Sequence, residues 1–177
     1  YMVHSTFAAA CLFLIADLVV SRRRGDSLTP TFATVQNGLF AAIFFAAAIA
    51  MAGMPPLSGF LGKLLVLDAL RGPDVIVWAW TAILVGSLLT IVGFARAGSA
   101  LFWKSTSIDT PAPDLNRAAP HHAATVAQVT PVMLTLAILG ALSIFAGPVA
   151  TYLEQTSAQL FDRSGYISAV LAPGGEG

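Results

Sequence analysis

Lys63, in the stretch MPPLSGFLGKLLVL, is a charge set in an apolar run. Its helical neighbours three and four positions away, Gly59, Phe60, Val66 and Leu67, include no acid. Asp68 follows five residues on, rotated away from the Lys63 face, so the segment offers no ion pair of its own. An ammonium so placed costs roughly 2.5–3.5 kcal/mol on insertion scales unless it meets water or a partner on another helix. Desolvation disfavours the charged form of a lysine, and a lysine in that setting can release and regain a proton near neutral pH. The competing reading is a lysine that snorkels to an interface or ties two helices together.

The residues before Lys63 sharpen the choice. Pro55-Pro56 lacks two backbone donors and clashes with the preceding turn, so a helix running through it must open near Ala52–Leu57. Carbonyls freed inside a bilayer are tolerated only where they are buried in protein or face a hydrated cavity, and broken helices are frequent at transporter ion sites. A simple proline kink is the alternative. Gly59 and Gly62 keep the surroundings of Lys63 small, leaving room for water or close helix approach. His4 is the second group able to titrate near neutrality, and its face continues through Ala8, Cys11 and Ile15. So close to the first residue it reads as interfacial; in a piece of a longer chain it reads as a relay partner for Lys63. Asp17, about one turn before Arg22, reads as an interfacial carboxylate.

Other chemistry is not suggested. His121-His122 lacks nearby Cys or His ligands and reads as part of a solvated loop, so no metal is expected. There is no phosphate-binding glycine loop, cysteine cluster or nucleophile triad, so neither a cofactor nor a catalytic residue is expected. Net charge is zero, which gives no reason to expect a nucleic-acid partner. One cysteine, Cys11, excludes an intrachain disulfide framework.

The elements that must carry these residues are membrane helices. Of the 177 residues 56% are hydrophobic and 10% charged, against about a quarter charged in a soluble domain. The charges are segregated, leaving apolar runs over Tyr1–Ser21, Gly38–Met54, Leu57–Leu70, Val75–Phe94 and Val126–Ala150. Gly147-Pro148 reads as the end of the last run, and the sequence between Arg96 and Thr125 reads as a polar loop. Trp78, Trp80 and Trp103 flank one span, as interfacial anchors do.

Positions 38–70 are too long for one ordinary span of about 20 residues, yet the half after Pro56 is too short to cross alone. If this segment crosses once, Arg22–Arg24 and the group Arg96, Lys104 and Arg117 fall on one side, opposite only Arg71 and Arg163. If it crosses twice, that bias vanishes. The expectation is an all-α polytopic membrane protein with about four crossings, the second broken at Pro55-Pro56. Residues 1–150 form the transmembrane domain and 151–177 an extramembrane tail that ends on the non-cytoplasmic side. Tyr1 and the immediate apolar start suggest the C-terminal part of a longer chain.

YMVHSTFAAACLFLIADLVVSRRRGD, MAGMPPLSGFLGKLLVL and GFARAGSALFW together resemble the D subunit of Mrp-type (Pha, Mnh) cation/proton antiporters. That superfamily also contains the antiporter-like subunits of respiratory complex I and of membrane-bound hydrogenases. The resemblance covers most of positions 1–150 and implies about fourteen helices in a full subunit, arranged as inverted repeats that each carry a broken helix. Residues 1–150 would then be the eleventh to fourteenth helices. Lys63 would match the relay lysine of the second broken helix, and His4 the histidine of the helix before it. The family's glutamate on the fifth helix and lysine on the seventh would lie upstream.

The resemblance implies a secondary transporter component rather than an enzyme, in the inner (plasma) membrane of a bacterium, exchanging Na⁺ or K⁺ for H⁺ with other antiporter subunits as partners. The PPLSGFLGK stretch is also similar to the N-like proton-pumping subunit of an NADH-quinone oxidoreductase, and that function stands as the alternative. A piece whose lysine is only a structural tie is a third.

Overall fold

The computed structural model describes residues 1–23, 27–30, 34, 36–70, 75–106, 123–164 and 167. Arg24, the turn Arg71–Asp74, Arg117, His121-His122 and the closing Gly174–Gly177 lie outside the described residues. The described elements are α-helical: α1 (Met2–Arg23), α2 (Asn37–Ala52), α3 (Ser58–Ala69), α4 (Ile76–Gly98), a π-helical segment (Ser99–Trp103), α5 (Lys104–Thr106), α6 (Val126–Ile144) and α7 (Ala146–Phe161). Three are long and apolar enough to cross a membrane: Met2–Arg23, Ile76–Trp103 and Val126–Ile144.

The fourth crossing is assembled from α2 and α3. At about 1.5 Å per residue they measure about 24 and 18 Å, and Ile76–Trp103 about 42 Å. α2 lies along the later part of α4, where Phe44 meets Phe94 edge-on at 6.0 Å between centroids. α3 lies along the earlier part, where Lys63 reaches Ser87. Two short helices in sequence thus run beside one continuous partner, as a single broken crossing does.

The core follows the small and apolar stripe of α1. Ala8, Cys11, Ile15 and Leu18 are buried, and Cys11, Ile15 and Leu18 pack with Phe40, Ile43, Phe44 and Ala47 of α2, Phe102, and Val132 of α6. Gly98 sits against the rings of Phe44 and Phe45, where a Cβ would come within 2.5 Å of Phe45 Cζ. The absence of a side chain lets α4 approach the aromatic cluster.

Two boundaries differ from the sequence expectation. The helix carrying Arg96 does not stop there; it continues through Ser99–Trp103 to Thr106, with Trp78 and Trp80 near one end and Trp103 at the other. Its wide π turn leaves carbonyls that other helices satisfy: Arg23 Nη1 donates to Leu101 O at 3.1 Å and Asn37 Nδ2 to Phe102 O at 3.0 Å. Arg22 donates to Gln128 Oε1 at 2.7 Å. The basic end of α1 and the basic end of α4 therefore share one face of the bundle with the start of α6. The second difference is that α6 ends at Ile144, before Gly147-Pro148. Pro148 falls in the first turn of α7, where its missing N–H has no intrahelical partner to lose.

Residues 144–177 form a second compact unit. None of the residues of α7 is buried. After it, hydrogen bonds from Ser164 hold the Asp162 carboxyl below its usual range.

Candidate functional site

The break between α2 and α3 is built by Gly53. α2 ends in a left-handed glycine (φ 65, ψ 45), with Gly53 N–H donating to Ala50 O at 3.0 Å and Met54 N–H to Ile49 O at 3.2 Å. This pair of bonds is the Schellman arrangement, in which glycine takes the left-handed position at no Cβ cost. Pro55 and Pro56, joined by a cis peptide bond, occupy the turn, and α3 starts at Ser58. The opening expected near Ala52–Leu57 is present, and two carbonyls beside it, those of Ala50 and Ala52, have side-chain partners.

Those partners are the two titratable side chains singled out above. Lys63 Nζ donates to Ala52 O at 2.6 Å and to Ser87 Oγ of α4 at 2.7 Å. His4, 5% exposed, places Nε2 at 2.9 Å from Ala50 O and Nδ1 at 2.8 Å from Ser58 Oγ. A carbonyl only accepts, so Nε2 carries a hydrogen. In the neutral ring Nδ1 then accepts the Ser58 hydroxyl proton; in the imidazolium Nδ1 donates, and Ser58 must turn its hydrogen elsewhere.

Ser87 marks where Lys63 lies along α4. Ser87 is eleven residues from Ile76 and sixteen from Trp103, or about 16 and 24 Å along the helix. The amine therefore sits near mid-height of a helix long and apolar enough to cross a membrane.

Gly59 and Gly62 do different jobs. A Cβ on Gly59 would collide with His4 Nε2, so this glycine admits the imidazole between α1 and α3. A Cβ on Gly62 would meet Tyr1 Cβ at 3.2 Å, a tight but milder contact. Lys63 and His4 share the break without a direct bond to each other: their hydrogen bonds run to carbonyls two residues apart and to two different serines. The expectation that His4 is the nearest partner of Lys63 gives way to Ser87, on a span read as merely uncharged. Arg22 turns to Gln128, to Leu18 O at 2.9 Å and over the Phe40 ring, while Asp17 is exposed.

Sequence reasoning missed Gly53, Ser58, Ser87 and Ser143. Gly53 had a readable signal, a glycine two residues before a proline at the end of an apolar run. Ser143 Oγ accepts the Ser58 N–H at 2.7 Å and donates to Leu139 O at 3.0 Å, so α6 supplies the start of α3 with a capping oxygen that its own N-cap, Leu57, lacks. That relation spans 85 positions and has no local signature. Among the described residues, no three His, Cys, Asp or Glu side chains converge on a metal-sized site.

Residues 1–90 match the family described as NADH:quinone oxidoreductase/Mrp antiporter, TM. Among curated proteins, the chain is similar to the D subunit of the Na⁺/H⁺ antiporter of Bacillus subtilis (strain 168), 26% identical over 97% of this chain and 33% of that one. It is also similar to the D subunit of a probable K⁺/H⁺ antiporter of Rhizobium meliloti (strain 1021), at 26% over 90% and 33%. A third relative is the D subunit of the Na⁺/H⁺ antiporter of Alkalihalophilus pseudofirmus, at 29% over 97% and 33%. The chain spans about a third of the length of these relatives.

Proposed function

Because the chain belongs to the NADH:quinone oxidoreductase/Mrp antiporter transmembrane family, we propose that it forms part of the proton-translocating subunit of a multisubunit Na⁺ or K⁺/H⁺ antiporter. Lys63 and His4 carry protons across the α2–α3 break, with Pro55, Pro56 and Gly53 opening it and Gly59 and Gly62 giving it room. The observation that carries the reading is one juxtaposition: the Ala52 carbonyl, which Pro56 leaves without a helical donor, is held by an amine, and the Ala50 carbonyl beside it by an imidazole. Each group can exchange a proton and each has a hydroxyl beside it, which is what a proton path needs and a plain kink does not. The antiporter names of the relatives favour this over an N-like subunit of a quinone oxidoreductase, which would use the same relay under redox drive.

The partners are the other antiporter subunits, and the complex lies in the plasma membrane of a bacterium. Exchange of more than one proton per cation would move charge, worth about 2.3 kcal/mol per charge at 100 mV. The test is proton movement in inverted vesicles carrying the full-length subunit with its partners. Addition of Na⁺ or K⁺ should collapse a preformed pH gradient without any quinone substrate. Proton movement that requires quinone reduction would instead assign the chain to the redox branch.

The shared basic face formed by Arg22, Arg23, Arg96 and Lys104 is cytoplasmic, following the positive-inside bias, and the C-terminus lies on the opposite side. A reactive tag placed after Gly177 should be labelled from outside the cell by an impermeant reagent. Labelling confined to the cytoplasmic side would overturn this orientation.

A further inference from the structure

We infer that Ser87 is a positioning residue for Lys63, its hydroxyl oriented by the α4 backbone so that a lone pair fixes the amine beside the Ala52 carbonyl. The inference rests on the proposed relay role of Lys63 and adds to it a residue from a helix that carries no charge near the site.

Between Thr81 and Thr90, α4 is apolar except at Ser87. Ser87 Oγ donates to Ile83 O at 2.7 Å, which uses the one proton a hydroxyl has. The oxygen is left as an acceptor, and Nζ lies 2.7 Å from it. Thr81 and Thr90 make the same backbone bond, to Val77 O and Gly86 O, each at 2.7 Å. The back-bond is therefore ordinary for a hydroxyl on this helix, and the bridge to α3 is the added feature. It is also directional: with its hydrogen fixed on Ile83, Ser87 can only accept from an ammonium.

α2 carries no titratable residue, and α4 carries only Arg96, nine positions past Ser87 and about 13 Å along the axis. On α1 and the residue before it, His4 borders Gly59, Tyr1 borders Gly62, and Asp17 lies more than three turns beyond His4. On α3 itself, Asp68 is five residues away. The two groups hydrogen-bonded to Nζ, Ala52 O and Ser87 Oγ, are neutral acceptors, and acceptors that favour the charged form set where it loses its proton.

The experiment compares wild type, Ser87→Ala, Ser87→Thr and Lys63→Ala in the full-length protein assembled with its partners, measuring cation-driven proton exchange against pH. Ser87→Ala removes an acceptor from the ammonium. It should slow exchange about tenfold at the wild-type optimum and move the pH profile about one unit lower, since a tenfold change in the protonation constant is one unit. Ser87→Thr should restore both, because a threonine on this helix makes the same i−4 bond. Ser87→Ala with wild-type rate and profile, beside an inactive Lys63→Ala, would overturn the role of Ser87 and leave the relay standing. A slowed Ser87→Ala with an unshifted profile would reduce Ser87 to packing. Full exchange by Lys63→Ala would overturn the relay reading itself.

Discussion

Lys63→Ala is expected to abolish cation/proton exchange while the complex still assembles, and Lys63→Arg is expected to abolish it as well. The two substitutions separate a relay from a structural tie. Alanine removes the amine and leaves Ala52 O and Ser87 Oγ without their donor. An unpaired buried acceptor costs about 1–3 kcal/mol, so the alanine variant alone could fail through instability. Arginine keeps a cation and its hydrogen-bond donors at the break but cannot give up its proton in a protein. A tie asks only for the donors and the charge, and arginine supplies them. A relay asks for release, and arginine withholds it. The measurement is exchange in inverted vesicles, with subunit content of the purified complex read in parallel. Arginine-supported exchange near the wild-type rate would reduce Lys63 to a strut between α2, α3 and α4.

The part of this site that was legible in the sequence is the part that costs energy locally. A lysine in an apolar run and two prolines in a helix each violate a local rule, and the fold places them together at one break. The paired-helix reading of positions 38–70 was legible for a similar reason, since length and the basic loops left one arrangement that satisfied both. The partners were not legible. Ser87 and Ser143 break no rule where they stand: a serine on a membrane helix can bond its own backbone, as both do, with Ile83 O and Leu139 O. What distinguishes them is a second bond, to Lys63 and to the Ser58 N–H, made across a helix interface. The continuation of α4 past Arg96 was hidden in the same way. Arg96 and Lys104 look like the start of a loop, whereas the helix persists because Arg23 and Asn37 reach the carbonyls of its π segment.

The glycines near the break differ in what they prevent, and Gly59 has the sharpest consequence. Gly59→Ala is expected to reduce exchange at least tenfold, through His4 rather than through α3. The added Cβ would collide with His4 Nε2 and lie 2.9 Å from Cδ2 and 3.1 Å from Cε1. The ring cannot slide away cheaply, because Ser58 Oγ holds one nitrogen, Ala50 O the other, and the side chain is almost wholly buried. Overpacking of this kind typically costs about 1–3 kcal/mol. The least costly relief is for the imidazole to give up Ala50 O, which opens the histidine end of the path and leaves the Lys63 end in place. Gly62→Ala, facing Tyr1 at 3.2 Å, should leave exchange within about twofold of wild type, as a neighbour that gives by a few tenths of an ångström absorbs less than about 1 kcal/mol. A double-mutant cycle isolates the cause. In a His4→Ala background the collision disappears, so Gly59→Ala should add little to the defect that the histidine variant already has. An equally large further loss there would place the effect of Gly59 in the packing of α3 and detach it from His4.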